Sequence, residues 1–281
     1  MLTKRGFTMV ELLVALVLMG IVSTAIYTLL VNNQRLYRQQ TQRIELNDNL
    51  RSATAILPSD LRELNASDLA GSDIIEMTDS SITYKAMRNL YVTCAQANGG
   101  DVYLQPTLVG LRTVNAEFDS LLVFADRRTN IVSDDVWLHL NVTQVSTGNN
   151  CPGGQPSLRA SVNPSIQGTD SVLAGYPVRG FEVADVRRYV DASGVAWLGV
   201  RRLSKTSGWS AIQPVVGPLQ PGGFRLAYFD RAGVVTADPR QVARISITVI
   251  GQTTEPVRLS TGSMGHLADS LITQVALRNN R

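Results

Sequence analysis

The sequence is poor in the residues from which most catalytic and metal sites are built. It has two cysteines, two histidines and three lysines among 281 residues, and arginine supplies the other 23 of its 26 cationic side chains. With so few cysteines and histidines, a metal cluster or a histidine-based active site is not expected. No phosphate-binding loop or dinucleotide-binding fingerprint is present. The net charge of +3 is too small to indicate a nucleic-acid partner by itself.

Apolar material, in contrast, is ample. Hydrophobic residues make up 44% of the chain, charged residues make up 17%, and the mean hydropathy is +0.03. This composition excludes a disordered or collagen-like chain, and the length predicts one or two domains. The composition is uneven, because charge is nearly absent from residues 7–31.

The run from Phe7 to Val31 carries a single charge, on Glu11. As a helix it would span roughly 37 Å, enough to cross a hydrocarbon core of about 30 Å. Lys4 and Arg5 precede the run and predict a cytoplasmic leader. We therefore expect the residues after Val31 to be extracytoplasmic.

Two simpler interpretations of this segment compete. A removable secretory signal would use Leu12–Val22 as its apolar region and Ser23 and Ala25 as its cleavage site, but the apolar run continues to Val31. A plain signal anchor explains the length and leaves Glu11 unexplained. A charge inside a membrane span costs roughly 2.5–3.5 kcal/mol or more, so a partner for it should exist.

Cleavage between Gly6 and Phe7 would create such a partner. The new α-amine of Phe7 would be largely cationic at pH 7, since the pKa of such amines is about 7.7–8.0. In an assembly of helices shifted by about one turn, this amine can pair with the Glu11 carboxylate of a neighbouring chain. Each charge would then be compensated within the assembly.

The residues at this junction resemble the type IV prepilin signature. Residues 4–15, KRGFTMVELLVA, combine a basic leader, a glycine, a phenylalanine and a glutamate five positions after the glycine. The resemblance implies cleavage after Gly6 by a prepilin peptidase and N-methylation of Phe7. It also implies retention in the inner membrane, followed by extraction into a helical filament in which Glu11 serves assembly.

Two later stretches narrow the resemblance. Residues 224–233 (FRLAYFDRAG) with 242–247 (VARISI) resemble the late hairpin of large minor pilins of the PilW type, and residues 275–279 (VALRN) resemble their closing segment. J-class pseudopilins of type II secretion are related but usually shorter, as are major pilins. K-class pseudopilins normally lack the glutamate that stands here as Glu11.

The rest of the chain predicts an α+β, pilin-like fold, in which a long N-terminal helix packs on an antiparallel β-sheet. An apolar stripe continues the helix beyond the span, and Pro58 should kink or end it, with Ser59 capping a short continuation. The stripe consists of Leu46, Leu50, Ala53, Leu57, Leu61 and Leu64. The predicted segments are a leader (1–6), a transmembrane or filament-core helix (7–31), an amphipathic stalk helix (32–66) and an extracytoplasmic β-rich domain (67–281).

Alternating apolar residues predict eight strands after the helix. They are Ser81–Met87, Leu90–Cys94, Phe118–Ala125, Val136–Val142, Gly180–Val190, Val195–Leu203, Phe224–Asp230 and Val242–Ile250. Turn residues at Asp191–Gly194 and Arg231–Gly233 predict two hairpins. Residues 148–175 and 204–223 are rich in Gly, Pro, Ser and Asn and are predicted as loops.

Candidate side-chain sites beyond the N-terminus are few. Cys94 and Cys151 both fall in the extracytoplasmic part, where a disulfide is favoured over two free thiols. His139 and His266 are interpreted as packed or surface residues. Residues 133–135 (SDD) are interpreted as a solvated turn, in preference to a calcium site, because no EF-hand spacing follows.

Two arginine pairs offer a possible nucleic-acid surface. Arg187-Arg188 and Arg201-Arg202 lie on the two strands of one predicted hairpin, with Tyr189 and Trp197 beside them. Such a surface could contact phosphates and stack bases. A solvated arginine face in an arginine-rich protein is the preferred interpretation.

The sequence therefore predicts a structural, non-enzymatic minor pilin of the PilW type that primes or caps type IV pilus assembly, with no cofactor and no metal. Its expected partners are major and minor pilins, the prepilin peptidase, the inner membrane, and pilus or secretion assembly machinery. It would cross the inner membrane once and later reach the pilus at the cell surface. The alternatives are a type II secretion pseudopilin and a pilus-tip adhesin or DNA receptor. A signal-anchored periplasmic enzyme is disfavoured by the lack of catalytic residues.

Overall fold

The structure is a computed structural model that describes residues 8–66, 71–97, 99–106, 109–110, 112–127, 131, 134–259 and 261–277. The chain forms two compact units. The first contains the residues up to Asp48 together with Thr253–Leu267. The second contains Asn49–Gln252 together with the residues from Ala268 onward.

One α-helix, α1, runs from Met9 to Arg62 without interruption, which confirms the predicted long helix. The helix continues through Pro58, so of the two outcomes predicted there, a kink or an end, the end is wrong. Leu57 and Leu61 lie on either side of Pro58 and are 5% and 0% exposed, and this burial keeps both sides in one helix. Ser59 does not cap a continuation, because its hydroxyl donates to the carbonyl of Ile56 at 2.7 Å.

The stalk helix was predicted to reach residue 66 and instead ends at Arg62. Two i→i−3 hydrogen bonds close its last turn, from Glu63 N to Asp60 O and from Leu64 N to Leu61 O, each 3.3 Å long. The predicted boundary at residue 67 lies outside the described residues.

Fifteen strands, all in antiparallel pairs, lie in the described part of the chain. The strands are β1 (Ile74–Met77), β2 (Ser81–Val92), β3 (Gly99–Leu104), β4 (Val109–Gly110), β5 (Asp119–Ala125), β6 (Val136–Cys151), β7 (Gln155–Ile166), β8 (Pro177–Val190), β9 (Ala196–Ser204), β10 (Gly208–Trp209), β11 (Gln213–Phe229), β12 (Arg244–Gln252), β13 (Val257–Arg258), β14 (Met264–Gly265) and β15 (Ala268–Ala276). β13 and β14 form a small hairpin in the first unit, and the other strands form one sheet in the second.

That sheet forks on β8. β2 pairs with β8 along one edge, from Pro177 to Arg187. On the opposite edge β5 pairs with Val178–Glu182, and β9 pairs with Ala184–Val190. Two branches therefore leave β8 on the same side, β5-β6-β7-β3 and β9-β11-β12-β15, and they separate at Val183.

The first branch closes into a six-stranded barrel. The end of β3 pairs with the end of β2 through the bridge between Thr93 and Leu104, with Cys94 N donating to Tyr103 O at 2.9 Å. The barrel encloses its own apolar core. That core contains Tyr91, Ala97, Val102, Leu104, Val114, Leu121, Val123, Ala125, Leu140, Val142, Ala160, Val162, Ile166, Val172 and Val178.

The second branch, β9-β11-β12-β15, forms an open sheet in the described part of the chain. The C-terminal part of α1 lies against it. Along β12 buried and half-buried residues alternate, as expected for a strand with one covered face. Within the second unit, Asn49 donates to the carbonyl of Gly217 at 2.9 Å, and Ala53 and Leu57 of α1 line a groove together with sheet residues. The sheet residues of that groove include Tyr84, Val186, Leu198 and Val216. The predicted α+β architecture is confirmed.

Both predicted loops are wrong in part. Residues 148–175 contain the end of β6 and all of β7, and residues 204–223 contain β10 and the first half of β11. Glycine misled the prediction, because Gly217 lies within β11, where a Cβ would come within 2.5 Å of the Trp197 ring. The strands predicted at Ser81–Met87 and Leu90–Cys94 are one strand, β2, with a bulge between Met87 and Asn89. Both predicted hairpins, β8–β9 and β11–β12, are confirmed.

Candidate assembly site on the N-terminal helix

The start of α1 is a reciprocal capping box formed by Thr8 and Glu11. Glu11 N donates to Thr8 Oγ1 at 3.3 Å, while Thr8 N and Thr8 Oγ1 donate to Glu11 Oε2 at 3.0 and 2.9 Å. This arrangement satisfies amides that a helix start otherwise leaves unpaired. The Glu11 carboxylate was predicted to pair with the amine of a neighbouring chain. In the structure it already accepts two hydrogen bonds from Thr8 of its own chain. The Thr-x-x-Glu spacing carries this signal in the sequence.

Gly6 and Phe7, the predicted cleavage and methylation residues, lie outside the described residues. Their roles stay predictions. Glu11 is four positions after Phe7, which is about one helical turn.

The helix after the capping box exposes its apolar side chains on every face. From Met9 to Leu30, its large apolar side chains are between 52% and 82% exposed. Two polar side chains in this stretch turn back on the helix, because Thr24 donates to Gly20 O and Thr28 donates to Thr24 O, both at 2.8 Å. Each hydroxyl therefore has an acceptor within the helix and would not be left without one in the hydrocarbon core of a membrane. By length and composition this helix can cross a membrane.

Residues 1–27 match the family model described as the prokaryotic N-terminal methylation motif. The match supports a type IV prepilin-like protein. No curated protein and no solved structure matches the chain. The matched segment includes Gly6, Phe7 and Glu11, and with the apolar helix it indicates membrane anchoring of a pilin-like or pseudopilin-like protein.

The disulfide predicted in this prepilin-like protein is confirmed. Cys94 and Cys151, which are 57 positions apart in the sequence, are bonded, and their Cα atoms are 5.2 Å apart. Cys151 is the last residue of β6, and a single 3-10 turn, Pro152–Gly154, leads directly into β7. The bond therefore ties the short β6–β7 turn to the chain just after β2, where the barrel closes.

Removing this disulfide should lower the free energy of unfolding by about 4 kcal/mol, the entropic effect of closing a loop of this length. The measurement is denaturant unfolding of the full chain in detergent, comparing wild type with the Cys94→Ser/Cys151→Ser double variant. A reductant should destabilise the wild type and leave the double variant unchanged. Free thiols at both positions under oxidising conditions would contradict the prediction.

A cluster of five charged side chains occupies the fork of the sheet, and no local sequence pattern indicated it. This fork cluster consists of Asp60, Arg88, Arg112, Asp119 and Glu182. Arg112 bridges two buried carboxylates, with contacts of 2.5 and 2.6 Å to Asp119 and 2.8 Å to Glu182. Arg88 joins Glu182 to Asp60 at the end of the helix, with contacts of 2.7 and 3.1 Å. The hydrogen bonds to Asp119 raise the pKa of Arg112 above its ordinary value.

Lys205 directly follows β9 and contacts the start of β5 and the residues before it. Its backbone amide donates to Glu117 O, and its ammonium donates to the carbonyls of Ala116, Asp119 and Val142. Burial lowers the pKa of Lys205 to about 8.

The paired arginines that were considered for nucleic-acid binding are largely engaged within the protein. Arg187 and Arg201 both contact the fully buried Asp185, at 2.5 and 2.8 Å. Burial raises the pKa of Asp185, but hydrogen bonds from Arg187, Arg201 and Thr83 outweigh it and hold the pKa below its ordinary value. Arg202 lies 3.6 Å from Glu182. These contacts replace the solvated arginine face that was expected, and they lend no support to a nucleic-acid surface.

The remaining candidates form no catalytic constellation among the described residues. His139 is exposed, with its ring centroid 5.1 Å from that of Phe181, and His266 Nδ1 lies 2.6 Å from Thr253 O. Asp134 and Asp135 lie with Asp126 in a group whose carboxylate oxygens are within 4.8 Å of one another. Ser133 lies outside the described residues.

Proposed function

We propose that this protein is a structural, non-enzymatic minor pilin of the PilW type, which primes type IV pilus assembly or stands near the pilus tip. One observation carries the proposal. An apolar helix exposed on every face begins at a capping box, inside the segment that matches the model for an N-terminal methylation motif. So much exposed apolar surface requires a membrane or other apolar helices around it.

The subunit would act by packing this helix against those of other pilins. Before assembly the inner membrane would surround the helix, and the prepilin peptidase would expose the Phe7 amine. Among the described residues, both hydrogen bonds to the Glu11 carboxylate come from Thr8 and end on Oε2. A neighbour's amine can therefore bind at Oε1 without opening the capping box.

Processing tests the proposal. Mass spectrometry of the membrane-extracted protein should find 275 residues that begin at an N-methylated Phe7. Gly6→Val should leave the leader attached, because a side chain is placed directly before the scissile bond. Gly20→Ala is the matched control, since a Cβ at Gly20 meets nothing within 4 Å. A mature chain beginning at Ile26 would instead establish a secretory signal peptide.

A type II secretion pseudopilin shares the same N-terminal features. A gene deletion, with complementation as its control, separates the two roles. Deletion of the gene should abolish piliation and leave secretion intact, and the reverse result would assign the chain to secretion.

A further inference from the structure

In the first unit, a hairpin segment lies against the helix just beyond the apolar run. Glu255 N donates to Gln42 Oε1 at 3.0 Å, and Gln39 Nε2 donates to Arg258 O at 3.4 Å. Val257, between these contacts, is 6% exposed. Two hydrogen bonds and one buried side chain therefore fix the segment Thr253–Leu267 on this stretch of helix.

The order of these contacts sets the direction of the hairpin. Moving from Glu255 to Arg258 along the hairpin moves from Gln42 to Gln39 along the helix, toward its N-terminus. The hairpin tip therefore points toward the apolar run. An open groove of about 670 Å³ lies between helix and hairpin, and its lining includes Asn32, Arg35, Leu36, Arg38, Arg258 and Met264.

The groove lies at the depth of lipid headgroups if the helix spans the membrane, so the inference rests on the proposed function. The apolar run ends at Val31, and Asn32–Gln42 covers roughly the next 15 Å of helix. The polar layer of a bilayer is roughly 5–8 Å thick on each side of the hydrocarbon core. Asn32–Leu36 would lie within about 8 Å of the end of the run and so inside that layer, and the backbone of Arg38 would lie about 3 Å outside it.

The groove is positively charged. It lies beside the extracytoplasmic end of the span, where positively charged residues are normally rare. Residues 32–43 contain three arginines and no acidic residue, and the hairpin adds Arg258 and Glu255. Arginine is normally depleted beside the extracytoplasmic end of a span, and the leader itself offers only Lys4 and Arg5. In the part of the chain that the structure describes, Arg35, Arg38 and Arg258 are exposed and pair with no carboxylate, unlike the arginines of the fork cluster.

We propose that this groove binds the headgroup of an anionic phospholipid in the extracytoplasmic leaflet of the inner membrane. The guanidinium groups of Arg35, Arg38 and Arg258 hold the phosphate, for which their planar donor geometry is suited. Leu36 and Met264, which are 53% and 67% exposed, contact the apolar glycerol–acyl region of the same lipid.

The test is lipid binding to the full chain in mild detergent, counted by native mass spectrometry. Phosphatidylglycerol and phosphatidylcholine with identical acyl chains are the probes. Wild type should bind phosphatidylglycerol about tenfold more tightly than phosphatidylcholine. The Arg35→Gln/Arg38→Gln/Arg258→Gln variant should lose this preference. Arg43→Gln should keep it, because Arg43 belongs to the same basic stretch but does not line the groove.

Three outcomes would overturn the inference. An equal loss in Arg43→Gln would mean diffuse charge attraction without a groove. Equally tight binding of inorganic phosphate would assign the groove to a soluble anion. Displacement of the lipid by a second copy of the chain or by another pilin, with no preference between lipids, would assign it to a protein partner. The N-terminus of each sample is sequenced in parallel, so normal processing without lipid preference rejects the lipid site alone, whereas absent processing rejects the proposed function.

Discussion

Replacing Glu182 with alanine should lower the free energy of unfolding by about 3–5 kcal/mol, because it breaks a buried charge network and leaves the other members in place. Glu182 is 3% exposed and accepts from both Arg88 and Arg112. Without it, each guanidinium keeps a single carboxylate partner from the fork cluster. The measurement is denaturant unfolding of the full chain in detergent, followed by tryptophan fluorescence, since all three tryptophans lie in the second unit.

The size of this effect follows from the position of the cluster. Asp119 and Glu182 are directly opposite each other on β5 and β8. Like charges in that arrangement repel, and Arg112 between them turns the repulsion into two ion pairs. The cluster thus holds together the strands at which the sheet divides.

A nearby exposed glutamate provides the control for this prediction. Glu117→Ala should change the free energy of unfolding by less than about 0.5 kcal/mol, because Glu117 is exposed. If Glu182→Ala stayed within about 1 kcal/mol of the wild type, the cluster would contribute little to the stability of the fork.

The fork cluster also marks the limit of what this sequence could predict. Helical and strand periodicity are local, and they predicted α1 and most of the central strands. The cluster joins Asp60 at the end of the helix to Glu182 on β8, 122 positions later. No local spacing connects such residues. The closure of the barrel between β2 and β3 was unpredictable for the same reason, because it depends on a contact between strand ends.

The prediction of a loop at β7 was wrong for a different reason. Its sequence, QPSLRASVNPSI, has the composition of a loop, yet it forms a twelve-residue strand. Ala160 and Val162 on its inner side are buried in the barrel core. Polar residues occupy the other side, so the composition of the whole segment hides its alternation.

The candidate assembly site, in contrast, could be predicted from the sequence because its residues are contiguous. The span, the charge at Glu11 and the cleavage motif all lie within residues 4–31. The capping box is also visible in the sequence, as a threonine three positions before a glutamate, but the position of Glu11 in an apolar run favours its interpretation as a membrane charge. The structure shows that this carboxylate caps the start of its own helix.

The observed capping by Glu11 and its proposed pairing with a neighbour's amine lead to the prediction with the largest functional effect. Glu11→Ala should be cleaved normally and stay in the inner membrane, because neither step needs an ion pair. It should fail to appear in sheared filaments, because a neighbour's Phe7 amine is left uncompensated in an apolar core, at a cost of about 3–5 kcal/mol. The measurement is cysteine crosslinking between α1 of this subunit and the helices of partner pilins, together with piliation.

Two further variants separate pairing from capping. Glu11→Gln keeps a side chain that suits a capping box and removes the charge, so it should fail to assemble as Glu11→Ala does. Thr8→Val removes the cap, at a cost of about 1 kcal/mol to the helix, and keeps the charge, so it should still assemble. The reverse pattern, with Glu11→Gln assembling and Thr8→Val failing, would mean that Glu11 acts by starting the helix. Undiminished crosslinking and normal piliation in Glu11→Ala would refute the pairing mechanism and leave the match to the methylation motif untouched.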